Sequence, residues 1–170
     1  MRKKIPKDEW QYILPVLFCI VCFMATDIFG ALEKTSFAYW SGALPYQPYR
    51  VITNHFIHGD AKHLLVNTFG IIFARYNLKG LNLKGNFLFL FLIILLIPSQ
   101  TLLFWLSDVF IFNNLMSLAI GFSGVLYGIN AFILLASIYG KENFLGLVIN
   151  LKKNQKVRQI MITFNTLNIK

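Results

Sequence analysis

Residues 49–70 read YRVITNHFIHGDAKHLLVNTFG and contain every histidine of the chain: His55, His58 and His63. His63 and Asn67 are four residues apart, so on a helix they share one face. Asp60 stands where a helix beginning near Ala61 needs its N-terminal cap, with His58 and Gly59 forming the turn before it. The residues around this stretch are apolar, and polar groups at one depth of an apolar helix do not suit a lipid-facing surface. A second unusual place is GFSG, residues 121–124, at the head of another apolar segment. Whether the two places meet decides what the fold is for.

Composition sets the environment. Of 170 residues, 56% are hydrophobic and only 14% charged, and phenylalanine alone occurs 17 times. Mean hydropathy is +0.60. Soluble domains carry about 25% charged residues, and a soluble bundle needs polar stripes that these segments lack. The composition describes an integral membrane protein. The net charge of +9 reads as membrane topology and not as a nucleic-acid surface, because the basic residues cluster between apolar runs. Cys19 and Cys22 lie inside the first apolar run and read as small buried residues, with no second pair to complete a metal site. The histidine spacing does not match HExxH and no glutamate lies nearby, so neither metal nor cofactor is expected.

The apolar segments predict an all-α bundle. A first span covers 10–31, long enough to cross a bilayer and too long for a simple leader. An aromatic-rich outer loop covers 32–59 and its composition fixes no structure. A second span covers 60–77, a third covers 86–106 with Pro98 inside it, and a fourth covers 118–139. In the fourth, Gly124 and Gly128 make a small-xxx-small spacing that lets a neighbouring helix approach closely. Residues 157–170 read as the start of a fifth span. With the N-terminus in the cytoplasm, twelve basic residues fall inside and only Lys34, Arg50 and Lys62 outside, a clear positive-inside bias. Spans two and four then both begin at the outer face. His63, Asn67 and Ser123 share a layer within roughly 10 Å of that face at about 1.5 Å rise per residue.

Each candidate has a structural reading beside a chemical one. Ser123 is either a local hydrogen bonder or a nucleophile exposed by Gly121 and Gly124. His63 can be a general base, a ligand, an oxyanion donor or a buried hydrogen bonder. Asn67 carries amide donors that suit a developing negative charge. Arg50 is either pinned by a carboxylate or loop carbonyls, or it meets lipid headgroups. Tyr127 lies one turn beyond Ser123 on the same face and either packs there or covers the serine.

With HGDAKHLLVN at 58–67, GFSG at 121–124 and Tyr127 following, the chain resembles the rhomboid family of intramembrane serine proteases. The resemblance implies a rhomboid-like polytopic membrane bundle with about four complete spans here and the start of a fifth. It implies Ser123 as nucleophile, with His63, Asn67 and the backbone at the serine forming the oxyanion hole. His58 supports the site by hydrogen bonding, and Tyr127 packs near the catalytic histidine. Tyr49-Arg50 stands where the family usually carries Trp-Arg. The general base of the family is a histidine on a sixth helix, and no histidine follows His63 in these 170 residues. The chain as given is therefore expected to be inactive or unstable, and to be a fragment or the product of an early stop. The implied partners are membrane-anchored protein substrates and the lipid bilayer, with no nucleic acid. Lys-, Asn-, Ile- and Phe-rich usage is compatible with an AT-rich bacterial genome and hence a bacterial inner membrane. Two other readings are a rhomboid-like protein that binds membrane helices without cutting them, and a small transporter or channel fragment.

Overall fold

A computed structural model of the chain describes residues 7–80, 88–138, 143–144 and 147–148. The fifth span expected at 157–170 and most of the basic loop after the second span lie outside the described residues.

Helix α1 (Trp10–Phe23) follows a short turn at Lys7–Glu9 and runs on through a wider turn at Met24–Ile28. The loop after it forms short helix α2 (Lys34–Phe37), strand β1 (Tyr39–Trp40) and short helix α3 (Arg50–Thr53). Next come α4 (Ala61–Gly80) and α5 (Leu88–Leu106), the latter continued by a wide turn at Ser107–Ile111. Strand β2 (Leu118–Ala119) precedes α6 (Ser123–Ile138). A small antiparallel pair, β3 (Asn143–Phe144) with β4 (Leu147–Val148), closes the described chain.

The core forms where α1, α4, α5 and α6 face one another. Helix α6 contributes Phe122 just ahead of it and then Val125, Leu126, Ile129, Ile133 and Ala136, a spacing of three and four that places all of them on one side. Ile71, Ala74 and Leu78 of α4 and Phe89, Leu92, Ile93 and Ile97 of α5 close onto that side, with Tyr12 of α1. The outward faces are also apolar. Leu65, Val66, Phe69, Ile72 and Phe73 on α4 are exposed, as are Phe91, Ile94, Leu95 and Leu103 on α5. The buried set meanwhile includes Arg50, Asn54, His55, His58, Asn67 and Thr101. Apolar surface outside and polar groups inside is the arrangement a lipid solvent favours. Among the described residues, two helices are long and apolar enough to cross a membrane, Trp10–Ile28 and Leu88–Ile111, and Ser123–Ser137 is a shorter apolar helix. Helix α4 falls outside that set because Lys62, His63, Asn67, Arg75, Asn77 and Lys79 interrupt it.

Two differences from the sequence reading concern local structure. The segment read as a span from 118 begins as strand β2, and its helix starts only at Ser123. Gly121 has φ +106, a left-handed backbone that ends the strand and turns the chain into α6. The aromatic loop, which composition left undetermined, is an ordered unit. Trp40 and Tyr39 pair antiparallel with Leu118 and Ala119. The Tyr39 hydroxyl donates to Asp108 Oδ2 (2.7 Å), Trp40 Nε1 to the Leu115 carbonyl (3.0 Å) and Ser41 Oγ to the Asn114 carbonyl (2.8 Å). A buried cluster ties the same loop to α5. Thr101 Oγ1 donates to the Val51 carbonyl (3.2 Å), and His55 Nε2 lies 2.9 Å from that hydroxyl and 3.1 Å from the Ile97 carbonyl.

At the opposite end of the bundle, Glu9 closes α1 onto α4. Arg75 donates to both Glu9 carboxylate oxygens at 2.6 and 2.7 Å, and Lys79 pairs with the same carboxylate. These donors hold the Glu9 carboxyl at about 2, well below its ordinary value of 4.5.

Candidate functional site

Asp60 starts the site by starting α4. Its Oδ1 accepts the His63 backbone N–H at 2.7 Å, and its carbonyl accepts the Leu64 N–H. This cap fixes the first turn, and the first turn carries His63. Asn67 follows one turn later, nearly fully buried.

His58 and Asn67 form a pair whose proton positions follow from geometry. His58 Nδ1 lies 3.1 Å from the Phe56 carbonyl, so Nδ1 carries the proton. Nε2 is then an acceptor, and Asn67 Nδ2 donates to it at 2.9 Å. His58 is fully buried, and that burial pushes its pKa down from 6.5 to about 4, which keeps the ring neutral and the acceptor in place. One N–H of the Asn67 amide is committed to His58. The other makes no hydrogen bond among the described residues. The His63 ring meets His58 edge to face at 5.1 Å between centroids.

The GFSG turn docks against this pair. The Gly121 N–H donates to the Asn54 carbonyl at 2.8 Å. A β-carbon at Gly121 would fall 2.5 Å from His63 Nε2 and 3.4 Å from Asn67 Nδ2. The backbone two residues ahead of Ser123 therefore rests directly on the imidazole and the amide, and the two sequence motifs meet. Ser123 opens α6, half-buried, and its hydroxyl makes no hydrogen bond among the described residues.

The other glycines do different work. A β-carbon at Gly124 would collide with the Gln100 amide, and one at Gly128 would fall 2.8 Å from Leu96. Gly124 and Gly128 thus form the groove into which α5 fits, one turn per residue on each helix. Gln100 was missed in the sequence because it reads there only as part of the polar break after Pro98. Its Oε1 is buried beside the first turn of α6 with no hydrogen-bond partner among the described residues.

Two candidates lie apart from the contact. Tyr127 shares the Ser123 side of α6 and is 75% exposed among the described residues. Arg50 lies in the loop between α1 and α4, nearly fully buried. It donates from Nε to Gln47 Oε1 at 2.5 Å and from Nη1 to the Thr35 and Ala38 carbonyls at 2.6 and 2.5 Å. Loop carbonyls pin it, and no carboxylate pairs with it among the described residues. Among those residues no group of three or more His, Cys, Asp or Glu side chains is arranged to hold a metal ion.

No curated protein matches the chain. The family model for the Rhomboid domain matches residues 45–167, well over half of the sequence and inclusive of both motifs. With that match, the apolar helices and the contact of GFSG with His63 and Asn67, the chain belongs to the rhomboid family, integral membrane proteins known for serine proteases that act on other membrane proteins.

Proposed function

We infer that the protein is an intramembrane serine endopeptidase that cleaves membrane-anchored substrates near the outer face of the bilayer. In this reading α1, α4, α5 and α6 are four spans. The N-terminus is cytoplasmic, and the membrane is a bacterial inner membrane. The observation that carries the reading is the seating of Gly121 on His63 and Asn67. It brings a serine hydroxyl, a backbone turn and two side-chain donors to one layer of the bundle.

The chemistry follows from those groups. Ser123 Oγ attacks the scissile carbonyl, and the carbonyl oxygen becomes an oxyanion. The uncommitted N–H of Asn67, His63 and the backbone at the serine donate to that oxygen, where they count most because the site is shielded from bulk water. The peptide nitrogen leaves with a proton, and water then releases the acyl group from Ser123. The serine proton needs an acceptor. His55 and His58 are buried and internally hydrogen-bonded, and burial pushes both down to about 4. His63 is assigned to the oxyanion side. The family resemblance assigns the acceptor to a histidine on a later helix, and residues 1–170 hold no histidine after His63.

A second reading is a rhomboid-like protein that holds membrane helices without cutting them. One experiment separates the two. The protein expressed from its whole reading frame is reconstituted with a single-span reporter carrying a photo-crosslinker. The first reading expects cleavage that Ser123→Ala abolishes. Crosslinking with no cleavage, unchanged by Ser123→Ala, selects the second.

A further inference from the structure

Arg50 is the most deeply buried cation of the outer loop, only 4% exposed. Three of its five N–H groups go to Gln47, Thr35 and Ala38. The two on Nη2 make no hydrogen bond among the described residues. The ion pairs there involve Lys34, Arg75 and Lys79, so no described carboxylate compensates this guanidinium. A buried charge without a counter-charge is costly, and an anion that reached it would be held strongly.

There is room for one. A cavity of about 300 Å³ is lined by Thr35, Ser36, Trp40, Arg50, Met116 and Leu118. The Trp40 and Tyr49 rings lie 6.0 and 5.7 Å from the guanidinium carbon and hold the fork in place. The Thr35 hydroxyl is committed to Glu33 Oε1 at 2.5 Å, but the Ser36 hydroxyl makes no hydrogen bond among the described residues. Met116 and Leu118 give the cavity an apolar wall continuous with exposed side chains at the outer end of the bundle.

We propose that this cavity binds a phosphate oxyanion, from a phospholipid headgroup or from free phosphate, with the Arg50 Nη2 fork as its recognition group. Two parallel N–H donors of a guanidinium match two phosphate oxygens. The Ser36 hydroxyl donates to a third. The apolar wall suits the glycerol end of a lipid. Occupancy braces α2, β1 and α3 together. Because β1 pairs with β2 five residues ahead of Ser123, it also braces the approach to the serine. The proposal does not depend on Ser123 being reactive.

The test is thermal unfolding of the full-reading-frame protein in a neutral maltoside detergent. It is titrated separately with dioleoylphosphatidylglycerol, dioleoylglycerol and inorganic phosphate. Arg50→Gln also removes three loop tethers and is prone to unfolding, so the decisive variant is Met116→Glu. It places a carboxylate at an exposed rim position and leaves the tethers intact. The expected result is a saturable rise in Tm of a few degrees with phosphatidylglycerol and none with the phosphate-free diacylglycerol. Met116→Glu should weaken that response at least about tenfold. A rise with phosphatidylglycerol alone assigns the site to a lipid headgroup, and an equal rise with inorganic phosphate assigns it to a free anion. No saturable rise with either phosphate compound, or an undiminished rise in Met116→Glu, overturns the proposal.

Discussion

His63 and Gly121 are in such close contact that a single methyl group added to Gly121 would fall 2.5 Å from the imidazole Nε2. The same residue carries φ +106, which a side chain disfavours in any surroundings. Gly121→Ala therefore meets two penalties, backbone strain of about 1–3 kcal/mol and displacement of His63. The expected outcome is a lower Tm with loss of reporter cleavage. Retention of both in a thermal-unfolding and cleavage assay would remove the contact from the account.

Gly124→Ala should be milder. The atoms it meets are the far end of the flexible Gln100 side chain, and a helical Gly→Ala change itself favours the folded state by about 1 kcal/mol. Shortening Gln100 removes the collision. The double variant Gly124→Ala/Gln100→Ala is expected to be more stable than the sum of the single changes, with a coupling of about 1–3 kcal/mol. Additive effects in a double-mutant cycle would show that α5 and α6 do not meet there.

Asn67 and His58 should behave as one unit. Asn67→Ala removes a donor from the oxyanion and is expected to lower kcat by about 10²–10³-fold. His58→Phe keeps the ring but deletes the acceptor that orients the amide, and should lower kcat with little effect on KM. Once Asn67 is alanine, the His58 change should add almost nothing. Independent, multiplicative losses in the kinetic cycle would mean that His58 does not act through Asn67.

Acid sensitivity has two windows with the same sign. The Glu9 carboxyl is held at about 2 against 4.5, so its contribution is complete above pH 4.5 and is lost as pH falls through 2. His58 is held at about 4 against 6.5, so between those values the unfolded chain binds a proton that the folded chain does not. Stability falls as pH drops from 6.5 to 4 for that reason. Tm measured against pH should decline in both windows. Glu9→Gln should lower Tm at neutral pH and flatten only the more acidic window, and an unchanged profile would show that the Glu9–Arg75 clasp contributes nothing.

The cap at Asp60, the shared face of His63 and Asn67, and the apolar character of the main helices are all local patterns, and local patterns are legible in sequence. The meeting of His63 with Gly121 could be bounded only by depth, because helix neighbours are not encoded locally. The loop of residues 32–59 was not legible. Its order comes from partners far along the chain, Tyr39 with Ala119 and Asp108, and His55 with Thr101. The start of α6 at Ser123 was read too early because Leu118 and Ala119 are apolar in either a helix or a strand. Their pairing with β1 decides between the two. Gln100 carries no motif, and only the packing of α5 against Gly124 brings it to the first turn of α6.

The account turns on Ser123 being a reactive nucleophile beside the Asn67 amide. The most direct measurement is labelling by a fluorophosphonate probe, with the adduct located by mass spectrometry in the full-reading-frame protein reconstituted in vesicles. The expected result is a single adduct on Ser123, absent in Ser123→Ala and formed at least about tenfold more slowly in Asn67→Ala. No adduct on Ser123, or one formed at an undiminished rate in Asn67→Ala, would contradict the account.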